Sequence, residues 1–341
     1  MMKNIWEKVA CKCKGVIDVN KVKRAKYLLI DTPVHGNLGD QAIVNLQSRF
    51  LKSISKEGEF GEIDAIHLNR LEKYCAKVSG AKTVIVPGGG FLGSLWPDEE
   101  RRFRRIVQEF SDKKIIVFPQ TVTFDMNSEE GLSFFEESKK IYSSNKNLTL
   151  YVREKQSYDF MKKYMPKVRV KLVPDTVLLW EPEASHKDRK NIIWSMRRDK
   201  EKNLSDEDFE RIKNVIHSKV DFESEMELDT VLDGKTITKD NREQYLGKFI
   251  DNYYNAKLVV TDRLHGMIFA AVTGTPCIAF GNSNGKVKGV YEWIKDSEYV
   301  KYLDDVSDLE RVMDKLNLEK SYALDRNEIR EKFKPLLEEF D

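Results

Sequence analysis

From residue 25 onward, short apolar runs alternate with amphipathic segments, and nearly every run is cut off by Gly, Pro, Asp or a polar cluster. Apolar runs of about four to eight residues bounded in this way read as buried strands, and the amphipathic stretches between them as covering helices. The pattern predicts strands at "AKYLLIDT", "KTVIVPGG", "KKIIVFPQ", "LTLYVRE" and "VRVKLVPD" in the first half of the chain, and at "RKNIIWSM", "AKLVVTD", "TPCIAFG" and "EYVKYLDD" in the second. Strand and helix in regular alternation predict an α/β fold with parallel sheets. The polar stretch "WEPEASHKDRK" breaks the rhythm just before a new strand, so the chain is expected to divide there. Residues 1–182 would form one Rossmann-like domain and 188–341 another across a cleft, with the last helix free to pack back on the first. The length of 341 residues exceeds the roughly 250 to 300 at which single cores stop growing, which fits two domains.

In open parallel sheets, ligands sit beyond the carboxyl ends of the strands, so the residues after each strand carry the candidate chemistry. "DTPVHGNLGDQA" crowds His35, Asn37, Asp40 and Gln41 around two glycines, a density of hydrogen-bonding groups suited to hydroxyls. Asp40 is also placed to cap the helix that follows. Gly88, Gly89 and Gly90 let a ligand or a neighbouring backbone approach closely, and Trp96 beyond them could stack on a sugar or pack in the core. These glycines do not form the G-x-G-x-x-G dinucleotide fingerprint, which argues against a nicotinamide enzyme. Gln120 and Arg153 end two further strands, Arg153 with Glu154 as an alternative structural partner.

In the second half, Arg197 and Arg198 follow a strand; side chains alternate there, so one points to the cleft, and Arg197 is the choice. "TDRLHGMIFAAVTGTPCIAF" places Asp262 to cap a helix whose first turn holds Arg263, Leu264 and His265. A helix N-terminus and a guanidinium fork together favour an anion. An imidazole beside them can give and take a proton near neutral pH.

Composition narrows the field. Lys and Arg number 58 against 56 Asp and Glu, so the overall charge makes no case for a nucleic-acid partner. Cys11, Cys13, Cys75 and Cys277 follow no zinc-ligand spacing and read as reduced thiols of a cytoplasmic protein. No apolar run approaches the ~20 residues of a membrane span. Residues 1–26 do hold eight basic side chains against Glu7 and Asp18, with Ile5, Val9, Cys13 and Val16 at helical spacing. Such a lead-in suits peripheral contact with the inner, anionic face of a membrane, and equally a helix packed on its own domain.

With "HGNLGDQA" near the start, "PGGG" after an early strand, "SMRRD" opening the second half and "TDRLHGMIFAAVTGTPCIAF" near the end, the chain resembles the polysaccharide pyruvyl transferase family from about Tyr27 to Trp293. The resemblance implies a fold like the two-domain B-type glycosyltransferases. It implies transfer of the carboxyethylidene group of phosphoenolpyruvate onto sugar hydroxyls as a ketal, with no cofactor beyond that co-substrate and no metal. Carried over, phosphoenolpyruvate would meet Arg197, Arg263, Leu264 and His265, with His265 as acid–base catalyst. The sugar acceptor, free or lipid-linked, would lie against His35, Asn37, Asp40, Gln41, Gly88 to Gly90, Gln120 and Arg153, with Asp40 or His35 as a base. A B-type glycosyltransferase using a nucleotide sugar, and a non-catalytic sugar-binding protein, are the competing readings. The sequence leaves the oligomeric state open.

Overall fold

Strand β1 (Tyr27–Thr32) is buried at every position, as a strand covered on both faces must be. The computed structural model describes residues 24–68, 80–182, 189–199 and 202–341; the lead-in before Arg24, linker residues 183–188, and Cys11, Cys13 and Cys75 lie outside the described residues. After β1 come α1 (Leu38–Ser53), β2 (Phe60–Asp64), α2 (Ala65–Leu68), β3 (Thr83–Val86), β4 (Gly89–Gly93), α3 (Pro97–Glu109), β5 (Lys114–Thr123), α4 (Glu129–Ser144), β6 (Leu148–Val152), α5 (Lys155–Tyr164) and β7 (Arg169–Leu172). They build a seven-stranded parallel sheet ordered β2-β1-β3-β5-β6-β7, with β4 pairing β5.

The second sheet is parallel too, ordered β12-β11-β10-β8-β9, from β8 (Asn191–Ser195), β9 (Ser224–Glu227), β10 (Ala256–Thr261), β11 (Cys277–Phe280) and β12 (Val300–Leu303). Its main helices are α6 (Asp206–Lys219), α7 (Arg242–Tyr254), α8 (Leu264–Thr273) and α9 (Lys286–Tyr291), followed by α10 (Leu309–Met313), α11 (Arg326–Lys332) and α12 (Lys334–Leu337). The chain therefore forms two Rossmann-like units.

All nine runs predicted as strands contain one. Three strands escaped the pattern. The edge strands β2 ("FGEID") and β9 ("SEME") carry too few apolar residues, because an edge needs only part of its surface covered. Strand β4 lies inside the glycine stretch that read as a turn.

Alternation along β1 divides the interior. Leu28 and Ile30 face a cluster with Val84, Val117 and Phe103 on the outer side of the first sheet. Leu29 faces the other way, into a core that runs through Ile43 of α1 and Trp180 to Ile193, Val259 and Phe269 of the second unit. One apolar core thus spans the junction, and its burial holds the cleft together.

The C-terminal segment returns to the first sheet. The ring of Phe340 meets Tyr27 and Phe50 edge-on at 5.7 and 5.3 Å and stacks on Phe118 at 6.1 Å, while Glu339 pairs with Lys114 at 2.8 Å and Lys171 at 3.0 Å. Phe340→Ala should therefore cost about 2 kcal/mol of stability, read as a fall in melting temperature. An unchanged melting temperature would mean that the tail contributes nothing to the fold.

Candidate active site

In each sheet the strand order reverses beside the first strand, between β1 and β3 and between β8 and β10. Open α/β sheets bind ligands in the crevice that such a reversal opens. A cavity of about 890 Å³ lies there, lined from the first unit by Asp31, His35, Asn37, Asp40, Gly88, Gly90 and Arg153, and from the second by Arg197, Arg263, Leu264, His265 and Lys286. Nearly all of these residues follow the end of a strand.

Arg197 and Arg198 lie just past the end of β8 and part there: Arg197 lines the cavity, while Arg198 is 77% exposed and pairs with Glu227. The Arg197 fork donates to both oxygens of Asp199, Nε to Oδ1 at 2.9 Å and Nη2 to Oδ2 at 3.0 Å. Arg263 donates from Nη1 to the same Asp199 Oδ2 at 3.0 Å and from Nη2 to Asp229 Oδ2 at 2.6 Å. A single carboxylate is thus gripped by two guanidinium groups that are themselves almost buried. The buried Nε of Arg263 has no hydrogen-bond partner.

Two expected helix caps are corrected. Asp262 does not cap α8; Arg263 occupies that position with no side-chain cap bond, and Asp262 Oδ1 instead accepts the Arg197 N–H at 2.7 Å, fixing the turn that carries the arginine. Burial pushes the Asp262 carboxyl up to about 6 despite that bond. At α1 the cap is Asn37, whose Oδ1 accepts from the N–H groups of Gly39 and Asp40, so Asp40 sits within the first turn.

His265 projects from the first turn of α8 against the first unit. A β-carbon at Gly39 would lie 2.1 Å from its Nδ1, so only glycine there lets the ring sit against the start of α1. Its Nε2 lies 3.7 Å from Asp175 Oδ2, an ion-pair contact too long for a hydrogen bond, and is buried without any hydrogen-bond partner. Buried polar atoms are nearly always satisfied, so this nitrogen, at the cavity wall, is a candidate contact for a ligand.

Asp175 follows β7 and caps the 3-10 helix Thr176–Leu179 by accepting the Val177 N–H at 2.9 Å. It also takes Arg153 Nη1 at 2.7 Å. Burial alone would raise its carboxyl, but the neighbouring His265 and Arg153 outweigh that cost and hold it well below the usual carboxylate range. Arg153 is further tied by Nε to Thr121 Oγ1 at 2.9 Å, and its carbonyl accepts the Trp293 indole N–H at 2.8 Å. Neighbouring Glu154 is buried and accepts from Thr121, and burial raises its carboxyl.

On the first unit's side of the cavity, His35 and Asp40 face each other at 3.8 Å. Gln41 and Gln120 are not in the cavity wall. Gln41 Nε2 donates to the carbonyls of Pro33, His35 and Ile237 and its Oε1 accepts from Arg242, which ties the loop after β1 to the second unit. Gln120 Nε2 donates to Pro87 O at 2.7 Å and its Oε1 accepts the Phe91 N–H, holding the glycine loop on β5. Gly88 and Gly90 line the cavity, and Gly89 between them does not. Trp96 lines the cavity and is 45% exposed.

A strap from the second unit crosses the cavity mouth: Leu38 N–H donates to Thr230 O at 2.7 Å, Leu232 N–H to Gly36 O at 2.9 Å and Ile237 N–H to Val34 O at 3.0 Å. Sequence reasoning missed Asp31, Asp175, Asp199 and Asp229. Asp175 was within reach, since it ends "VRVKLVPD" and follows a strand like the other candidates. Asp229 sits in a polar loop with no pattern to mark it.

Comparison with known proteins follows the same line. The sequence model described as "Polysaccharide pyruvyl transferase" matches residues 37–284. The chain is 34% identical over 322 residues to "General stress protein 30" of Bacillus subtilis, covering 93% of this chain and 92% of that one. It is 28% identical to "Pyruvyl transferase 1" of Schizosaccharomyces pombe, covering 79% and 70% of the two. Its fold is similar to the crystal structure of KP1_0663 from Klebsiella pneumoniae, a protein of uncharacterized function, with a TM-score of 0.51 at 17% identity over 86% of this chain and 98% of that one.

Asp175→Asn should cost about 3 kcal/mol at neutral pH, because it removes the nearer of the two carboxylates that face buried Arg153, leaving only Glu154 at 4.0 Å. A carboxyl whose folded pKa is depressed contributes stability above its unfolded pKa and loses it as pH falls. The gap in melting temperature between variant and wild type should therefore narrow as the pH is lowered toward the acid range. A gap that is independent of pH would contradict the ion pairing.

Proposed function

The chain belongs to the polysaccharide pyruvyl transferase family, and we propose that it transfers the carboxyethylidene group of phosphoenolpyruvate onto two hydroxyls of a sugar in a cell-surface polysaccharide precursor. The observation that carries this reading is the double grip of Arg197 and Arg263 on the Asp199 carboxylate. Phosphoenolpyruvate presents a carboxylate and a phosphate close together and needs two cationic anchors of fixed geometry, which paired guanidinium forks supply. Asp199 then stands where the co-substrate's anion would, and leaves when it binds.

The reaction balances as follows. One acceptor oxygen attacks C2 of phosphoenolpyruvate as the methylene carbon gains a proton and becomes methyl. The second oxygen then attacks as the C2–O bond to phosphate breaks. Of the two hydroxyl protons, one ends on the methyl group and the other on phosphate. His265 is the proton carrier, since its unpaired Nε2 opens beside Asp175, whose carboxylate stabilises the charged imidazole without taking its proton. The acceptor lies against His35, Asn37, Asp40, Gly88 and Gly90 on the first unit, with Trp96 at the mouth. Either a free or a lipid-linked sugar fits this placement. The strap bonded across the two units supports a closed state that excludes water, which would otherwise intercept the activated pyruvyl group.

The test is phosphate release from phosphoenolpyruvate in the presence of sugar acceptors, with mass spectrometry for the carboxyethylidene increment. Arg263→Ala should weaken phosphoenolpyruvate binding at least about tenfold. His265→Ala should leave that binding nearly intact and slow turnover by about 10² to 10⁴. Stabilisation of the protein by nucleotide sugars alone, with none by phosphoenolpyruvate, would sink the proposal. Asp199→Asn, which removes the competing anion, should tighten phosphoenolpyruvate binding about tenfold by calorimetry. Weaker binding would instead make Asp199 a holder of the two arginines in their working positions.

A further inference from the structure

The transferase reaction needs a base for the first acceptor hydroxyl, and the cavity contains a carboxylate that the mechanism so far leaves idle. Asp31 lies at the end of β1, beside the reversal of strand order in the first sheet, and lines the same cavity as Arg197, Arg263 and His265. Its backbone has φ 63°, the only positive φ of a non-glycine residue among the described residues. An L-residue in that region costs about 1 kcal/mol or more, and persists where the surroundings gain from it. The pairing of β1 with β2 shifts register at this point, between Ile30 and Thr32. A strand irregularity of this kind re-aims a side chain, here one that regular alternation would have placed elsewhere.

The chemistry at the end of that side chain suits proton removal. The carboxylate is only 3% exposed and accepts from Arg102 Nε of α3 at 3.1 Å. Arg102 also faces Glu99 at 3.5 Å, so its charge is shared. The charged groups acting on Asp31 are Arg102 and Glu99 on α3 and Asp64 at the end of β2, two acids against one base. Burial is the largest influence and, with those acids, pushes the Asp31 carboxyl up to about 6 in spite of Arg102. A carboxylate of that basicity is ionised at neutral pH yet takes a proton far more readily than an exposed one. Buried Asp262 is raised to a similar degree but does not line the cavity, and Asp40, which does, sits in the first turn of α1 with its carboxylate 28% exposed against 3% for Asp31.

We infer that Asp31 is the catalytic base that removes the proton of the attacking sugar hydroxyl, with Arg102 as the positioning residue that orients its carboxylate. This rests on the transferase reading above. The hydroxyl O–H bond breaks as the oxygen–C2 bond forms, the proton passes to Asp31, and the protonated carboxyl returns it to the departing phosphate or to solvent before the next cycle. His265 serves the phosphoenolpyruvate half of the site and Asp31 the sugar half, the two lining one cavity from opposite units.

The experiment uses the full chain with phosphoenolpyruvate and a panel of p-nitrophenyl glycosides and nucleotide-linked N-acetylhexosamines, following phosphate release across pH 5 to 9. Wild-type kcat/KM should fall on the acid side as Asp31 is protonated, with a midpoint near 6. Asp31→Asn should lower turnover by about 10² to 10⁴ and abolish that acid limb. Its binding of phosphoenolpyruvate and its melting temperature should match the wild type. Asp31→Gly, for which φ 63° carries no strain, is the second variant and should likewise be inactive but at least as stable. Wild-type turnover and an unchanged acid limb in either folded variant would overturn the inference. So would a loss of activity that tracks a matching loss of melting temperature or of phosphoenolpyruvate binding in both. No phosphate release by the wild type with any acceptor would instead bring down the transferase reading, and the role of Asp31 with it.

Discussion

Charges buried at the ends of parallel strands must find opposite charges on another element, and in this protein most find them within their own unit while a few contacts join the two units. Arg153 and Asp175 of the first unit neutralise each other and meet His265 of the second. Arg242 of the second unit reaches Gln41 and Glu62 of the first. An unpaired buried charge costs several kcal/mol, so each of these contacts fixes the relative placement of two loops that no apolar packing would specify on its own. The apolar core that spans the junction supplies the adhesion, and the charged contacts supply the register.

On the proposed reading, this division poises the two arginines for an anion before any ligand binds. Arg197 and Arg263 follow the ends of the neighbouring strands β8 and β10, at the reversal point of the second sheet, and their turns are fixed from behind by Asp262 and by Thr261 Oγ1, which accepts the Arg263 N–H at 2.9 Å. The guanidinium groups are therefore aimed before any ligand arrives, and the ordering cost of binding falls mainly on the displaced Asp199. Asp199 is 42% exposed, so its release to water is inexpensive. The acceptor half is organised by the same means, with Gly39 admitting the His265 ring and the strap tying the loop after β1 to the second unit.

Much of this was legible in the sequence, for identifiable reasons. Apolar runs could be read as strands in nine cases, edge strands β7 and β12 among them, while the more polar edge strands β2 ("FGEID") and β9 ("SEME") could not. Arg197, Arg263 and His265 stood out because cations next to apolar runs demand an explanation. Their partners did not stand out: Asp175, Asp199 and Asp229 are ordinary loop acids until the fold brings them within a few ångströms of the arginines. Gln41 and Gln120 look like ligand groups in sequence, and in the structure their amides bond loop carbonyls and they do not line the cavity. Asp31 was hidden by its strand, because a left-handed backbone at a non-glycine residue has no signature in composition or periodicity.

The central claim is that two guanidinium groups from adjacent strand ends form the anchor for an anionic co-substrate that now holds a side chain in its place. A crystal structure with phosphoenolpyruvate bound tests it most directly. The account predicts an anionic group of the ligand between Arg197 and Arg263, with Asp199 displaced from both and C2 of the ligand facing His265. Phosphoenolpyruvate bound elsewhere, or bound with Asp199 still bridging the two arginines, would contradict it.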